Sequence, residues 1–353
     1  MEKRRLGKTG LMVSVIGFGG IKLPIVERDD ATKLLNQALD MGINFLDTAR
    51  GYGDSEEKIG TAISHRRDEF YISTKSPATT LDRMKRDIET SLKNLRTDRI
   101  DLYLCHNLRH QENYETIMGI DGALKALQDA KSQGMIDHIG FSSHRFHETM
   151  KKGILSGEFE AVMLSYNILN DELVDEEILP LAKESDLGVI IMKPLAGGAL
   201  ASVPSEMSLG EAAITATQAL RFVLANDAVT LAIPGMTSVR ELEENVAAGE
   251  TYQTLTEEEK SEMVKAAEAL GKDFCRDCGY CQPCPEGIRI PIILRHAGYY
   301  SRYGLEDWAR GRYRMVEVKA DACVECGQCE EKCPYDLPII QKLKEAHAML
   351  SAL

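Results

Sequence analysis

The sequence predicts an α/β chain: a (β/α)8 barrel followed by a small, mainly helical, cysteine-rich domain. Three observations carry that reading. Short β-branched runs alternate with amphipathic helical patterns eight times within about 240 residues, as they do in a barrel where each strand is followed by a helix. Eight of the nine cysteines cluster at positions 275–284 and 323–333. The length of 353 residues exceeds one small domain and fits a large fold plus a small one. A doubly wound sheet is the competing architecture, but no Gly-x-Gly-x-x-Gly turn follows the first strand.

In chain order, Lys8-Thr9-Gly10 forms a turn between two extended pieces, predicting a hairpin that closes the bottom of the barrel. The strand runs are 13–18, 43–47, 70–75, 101–106, 138–142, 161–166, 188–193 and 228–233. Between them, segments 81–95 and 122–132 repeat apolar residues at three- and four-residue steps. Thr256-Glu257-Glu258-Glu259 starts a further helix, with acidic residues in its first turn. It runs to about Leu270, and Gly271 ends it. The expected domains are therefore 1–271 for the barrel and 272–353 for the cysteine-rich unit, in which 292–303 reads as helix.

Composition excludes several classes. With 44% apolar and 27% charged residues the chain is neither a membrane protein nor a disordered one. Its 42 Lys and Arg against 55 Asp and Glu leave a net charge of -13, which disfavours binding to nucleic acid or anionic lipid. Residues 1–7 are not followed by the apolar stretch of an export signal, and no run near 18 apolar residues occurs. A cytoplasmic protein is expected, and in a reducing compartment closely spaced cysteines read as metal or cluster ligands before disulfides.

Chemistry in such a barrel sits at the carboxyl ends of the strands. Three consecutive strands end in Asp47, Lys75 and His106, and Tyr52 follows the second in the turn Arg50-Gly51-Tyr52-Gly53-Asp54-Ser55-Glu56. Tyrosine is a poor acid–base group at neutral pH unless a cation favours its phenolate. Lys75 would supply that cation, and Asp47 would keep the lysine charged and oriented. Tyr52 then gives a proton to a carbonyl oxygen as hydride reaches the carbon, while His106 positions the carbonyl. Taken singly, Asp47 reads equally as a helix cap, His106 as a core histidine and Tyr52 as a loop aromatic. Cys105 beside His106 reads as a buried apolar thiol, because adjacent strand residues face opposite sides.

The run from Gly42 through Asp47, Tyr52 and Glu56 closely resembles the signature of the aldo-keto reductase family, with Lys75 and His106 after strands three and four. The resemblance spans roughly residues 3–250 and includes Gly140-Phe141-Ser142-Ser143, Tyr166-Asn167, Ile233-Pro234-Gly235 and Glu244-Asn245. It implies reversible NAD(P)H-dependent reduction of an aldehyde or ketone. Ser142 and Ser143 would lie near the nicotinamide amide, with Lys193 also on the cofactor, and Glu244 and Asn245 near the adenine. The chain departs from the family at three places. Met163 stands where many members carry glutamine, Met192 with Lys193 beside it replaces a stacking aromatic, and Glu241 replaces the arginine often used for a 2′-phosphate. Arg240 is adjacent, so NADP and NAD both stay open.

Cys323-x-x-Cys326-x-x-Cys329-x-x-x-Cys333-Pro334 matches the bacterial ferredoxin run for [4Fe-4S] binding. Cys275-x-x-Cys278-x-x-Cys281-x-x-Cys284-Pro285 is one residue shorter. Resemblance to a two-cluster ferredoxin implies two [4Fe-4S] clusters. One would be held by Cys275, Cys278, Cys281 and Cys333, the other by Cys323, Cys326, Cys329 and Cys284. The spacing between the motifs points to a relative of the α-helical ferredoxins. Zinc held by four cysteines is the alternative, though zinc ribbons rarely use an unbroken x-x series before proline.

Hydride moves two electrons and a cluster carries one, so a direct relay needs an intermediate carrier such as a flavin, and no flavin site is legible. The clusters then serve an electron-transfer partner, support a radical step in the substrate or brace the pocket. A second reading makes the protein a redox adaptor whose barrel is a nucleotide-sensing or docking module.

Overall fold

The computed structural model describes the chain except for residues 145, 169–172, 197–199, 201–213, 270–273, 276–278, 304–305 and 353, and the side chains of 254, 266–269 and 302–303. Two compact units emerge: Met1–Pro194 with Ala216–Lys260, and Leu195–Thr215 with Ser261–Leu353. The boundary expected at Gly271 lies outside the described residues.

The first unit begins with an antiparallel hairpin of β1 (Lys3–Arg5) and β2 (Met12–Ser14), with Lys3 opposite Ser14. Eight parallel strands follow: β3 (Phe18–Gly19), β4 (Phe45–Asp47), β5 (Tyr71–Ser76), β6 (Ile100–Cys105), β7 (Ile136–Ser143), β8 (Ala161–Ser165), β9 (Gly188–Met192) and β10 (Leu231–Ala232). Each pairs with the next in chain order. Parallel bridges from Ile16 to Ala232 and from Gly19 to Gly235 join first to last, closing the (β/α)8 barrel that the periodicity predicts. Closure is tight at Gly19, where a Cβ would lie 2.7 Å from Ile233 O. Gly7 in the hairpin bridges to Leu187, just before β9, and Leu6 is buried in the barrel interior. The hairpin therefore covers the amino-terminal end of the barrel, as its turn chemistry predicts.

Helices fill the returns, and Leu81–Leu95 shows why. Met84, Ile88, Ser91 and Leu95 are buried at steps of four, three and four residues, one stripe of a 3.6-residue helix. Arg96 ends it in the left-handed region, its N–H meeting the carbonyls of Leu92 and Lys93. Along the strands the period is two. Phe45, Leu102, Leu104, Met163, Ile190 and Leu231 share one interior cluster, each worth roughly 1.5–3 kcal/mol of burial. The next inward positions toward the carboxyl ends are Asp47 on β4 and His106 after β6.

The second unit is built on helices Ile290–Tyr303, Glu306–Arg314 and Ile339–Ser351, around a core that includes Ile288, Ile293, Tyr313 and Leu343. Among the described residues it carries no strand. The Tyr313 hydroxyl shares a 2.8 Å hydrogen bond with His347 Nδ1 and accepts one from the Ala320 N–H at 3.0 Å. Among the described residues no helix is long and apolar enough to cross a membrane.

Candidate active site

Strands β4, β5 and β6 bring four of the expected residues together. Lys75 Nζ donates to Asp47 Oδ1 at 2.8 Å, Asp47 Oδ2 at 2.6 Å and the Thr48 carbonyl at 2.9 Å. Ser73 Oγ adds a 3.2 Å bond to Asp47. Lys75 Nζ lies 4.9 Å from the centre of the Tyr52 ring. The Tyr52 and His106 rings meet edge to face with centroids 6.2 Å apart. Lys75 and Asp47 are buried, whereas Tyr52 and His106 are partly open.

Electrostatics follow from that burial. Desolvation pushes the Asp47 pKa up and the Lys75 pKa down, while the contact between them opposes both shifts. The Tyr52 pKa is raised, first by burial and then by the Asp47 charge. Burial and the Asp47 charge thus work against the phenolate that the sequence-based picture has Lys75 favour. His106 is pushed down to about 3, first by burial and then by Lys75, Arg109 and Lys193. It is a neutral imidazole, able to donate one ring N–H. His106 Nδ1 and Asn107 Oδ1 are buried with no hydrogen-bond partner among the described residues, so this mouth suits a polar ligand.

The other expected residues fall into two groups. Ser142 Oγ accepts from the Asn107 N–H at 2.8 Å, and Ser143 Oγ donates to the Leu108 carbonyl at 2.7 Å. Both hydroxyls thus hold the segment after β6 in place. Lys193 has a left-handed backbone, φ 56°, and its Nζ lies 3.1 Å from Nδ1 of His144, a buried residue that sequence reasoning passed over. Its signal was its place two residues beyond Ser142 at a strand end. Met163 is packed in the apolar interior, so no polar group stands there. In helix Val239–Thr251, Glu244 is paired with Arg240 at 3.0 Å while the adjacent Asn245 is buried. Glu241 accepts from the Thr237 N–H at 2.6 Å and Oγ1 at 2.9 Å, tying down the helix start. Cys105 is fully buried and its thiol is pushed up to about 12 by burial, an inert core group.

In the second unit the described cysteines form no disulfide and gather around two cavities. One is lined by Cys284, Cys323, Cys326 and Cys329, with Cys281 also on its wall. The other is lined by Cys275, Cys281 and Cys333. Cys278 lies outside the described residues. Gly279 and Gly327, each following a cysteine of its motif, both take φ 76°, a left-handed turn that favours glycine. Among the described residues no group of three His, Cys, Asp or Glu side chains converges where one metal ion would sit. Thiols spread around a cavity fit a cube of iron and sulfide better than a single zinc ion.

Comparison with known proteins agrees with this geometry. The sequence pattern of the aldo/keto reductase family matches residues 15–208, and that of a 4Fe-4S dicluster domain matches residues 274–338. The chain is 30% identical over 294 residues to L-galactose dehydrogenase of Arabidopsis thaliana, covering 72% of this chain and 90% of that protein. It is 29% identical over 299 residues to the uncharacterized oxidoreductase YqkF of Bacillus subtilis, covering 73% and 94%. The solved aldo-keto reductase AKR11C1 of Bacillus halodurans, in its holo form, superposes with a TM-score of 0.65 at 28% identity, covering 75% of this chain and 96% of that one. The chain belongs to the aldo/keto reductase family and carries a 4Fe-4S dicluster domain after its barrel.

Proposed function

We propose that the barrel reversibly reduces the carbonyl group of a small aldehyde or ketone, with Tyr52 as the proton donor. The observation that carries this reading is the placement of Tyr52 between Lys75, 4.9 Å from its ring centre, and His106, 6.2 Å between centroids. A bound NADPH or NADH supplies the hydride. The neutral His106 donates an N–H to the substrate oxygen and fixes its position. Tyr52 holds its proton until the oxygen develops alkoxide character, a stronger base than phenolate, and then gives it up. Lys75 and Asp47 orient the phenol from behind.

Ser142, Ser143 and Lys193 are read as the nicotinamide side of the cofactor site, and Glu244 and Asn245 as the adenine side. Arg240 would exchange Glu244 for a 2′-phosphate, so titration with NADPH and NADH in parallel decides the preference. The cluster domain is taken as 272–353, with Cys275, Cys278, Cys281 and Cys333 on one cluster and Cys284, Cys323, Cys326 and Cys329 on the other.

The test is Tyr52→Phe in iron-replete protein assayed against a carbonyl panel. Loss of about 10²–10⁴-fold in turnover, with nicotinamide affinity unchanged, supports the reading. Retained turnover overturns it, and retained cellular function alongside loss in cysteine variants points to the redox adaptor.

A further inference from the structure

Outside the barrel and the cysteine cavities, the described residues of the second unit line a further cavity. It is lined by Arg289, Arg295, His296, Trp308 and Arg312, with Glu317 also on its wall. His296 is only 8% exposed, and its Nδ1 is buried with no hydrogen-bond partner among the described residues. A buried polar atom left unpaired costs on the order of 1–3 kcal/mol unless a ligand or water meets it.

Two of these arginines, Arg289 and Arg312, are unusual in the same way. The chain has 55 acidic against 42 basic residues, yet Arg289 and Arg312 form no ion pair with any described residue, Glu317 included. Arg312 instead lies over the Trp308 ring, 5.1 Å from its centre, which holds the guanidinium against the cavity wall. Tyr299 packs edge to face on the same indole, centroids 4.9 Å apart. Burial and then the charges of Arg295 and Arg312 hold His296 at about 4, so it is a neutral imidazole surrounded by cations.

We propose that this cavity binds a small oxyanion, a phosphate or carboxylate group, between Arg289, Arg312 and the imidazole of His296. Guanidinium groups meet such anions through paired, charge-assisted N–H bonds, and the tautomer with hydrogen on Nδ1 gives His296 a further donor. Helix Ile290–Tyr303 separates this site from the cysteines: Ile290 and Leu294 face the cysteine cavities, while Arg295, His296 and Tyr299 face the arginine cavity. The anion would sit one helix thickness, about 10 Å, from the thiol-lined cavities.

Trp308 is the only tryptophan of the chain, so its fluorescence reports on this cavity alone. Full-length, iron-replete protein is titrated with inorganic phosphate and separately with succinate at constant ionic strength, followed by fluorescence and by calorimetry. Saturable binding of at least one anion is expected, weakened at least tenfold in Arg289→Gln and in Arg312→Gln while the visible cluster absorption is unchanged. Tighter binding of phosphate identifies a phosphoryl ligand and of succinate a carboxylate, and both uphold the site. If Arg312→Gln loses the cluster absorption, Arg289→Gln carries the test, because its exposed side chain stands outside the helices. No saturation by either anion, or unchanged affinity in the variants, overturns the proposal. So does a response confined to a polyglutamate peptide with which neither small anion competes, which would mark a protein-docking surface.

Discussion

Lys75 Nζ reaches both carboxylate oxygens of Asp47, at 2.8 and 2.6 Å, with the two side chains only 1% and 3% exposed. Breaking such a pair by removing one partner costs roughly 3–5 kcal/mol, because the other charge is stranded. Asp47→Asn is therefore expected to lower unfolding stability by about that amount and to cut turnover. The double variant Asp47→Asn with Lys75→Met recovers stability and not turnover. Chemical denaturation and steady-state kinetics on the three proteins check both parts, and recovery of turnover by the double variant would contradict a catalytic use of the pair.

With His106 at about 3 and the Tyr52 phenol raised, carbonyl reduction should show no inflection near the free-histidine value of about 6.5. Alcohol oxidation, which needs the phenolate, should rise with pH through the alkaline range. The same histidine sets the sign for stability. Its folded pKa is below the unfolded one, so the unfolded chain binds more protons between about 3 and 6.5, and stability falls as pH drops through that window. His106→Gln should flatten the decline in denaturation midpoints measured from pH 7 to pH 4.

Much of this was legible because it rests on short-range periodicity. The two-residue alternation that buries Phe45, Leu102 and Leu104 also turns Asp47 and His106 to the inside, and the spacing of eight cysteines announces the second unit. What stayed hidden depends on partners far apart in the chain. That Asp47 sits on Lys75 is expected from the strand ends, but the way burial and the Asp47 charge together work against a Tyr52 phenolate shows only in the fold. His144 gains meaning from Lys193, forty-nine residues later. His296 looked like one position in a helix until Arg312 and Trp308 closed a cavity beside it.

Cys326-Gly327-Gln328-Cys329 bends through a left-handed glycine at φ 76°. An alanine there costs on the order of 1–2 kcal/mol and pulls the flanking thiols out of register. Gly327→Ala should lower cluster occupancy, and Cys329→Ala should take iron from about eight to about four atoms per chain. Cys105→Ala should leave iron content unchanged, since that thiol is buried in the barrel unit. Iron analysis with the visible spectrum decides, and equal loss in the Cys105 variant would break the assignment.

Glu56 is the least expected part of the site. Its side chain is 1% exposed, pairs with Arg50, and accepts from Thr74 Oγ1 at 2.8 Å, Ser91 Oγ at 2.8 Å and Asn94 Nδ2 at 3.3 Å. Arg50 in turn donates its backbone N–H to the Lys75 carbonyl at 2.9 Å. Residues 50 and 56 bracket the turn that carries Tyr52, so this carboxylate fastens that turn to the strand that carries Lys75. Glu56→Gln should strand the Arg50 charge. With Arg50 22% exposed, the cost falls below that of a fully buried pair, at about 2 kcal/mol. Turnover should fall at least tenfold with nicotinamide affinity unchanged, since the loosened turn misplaces the phenol. Adding Arg50→Met removes the stranded cation and restores stability, but the turn stays untethered and turnover stays low. If the double variant recovers turnover as well, Glu56 serves only as a counter-ion and Tyr52 is held in place by other contacts.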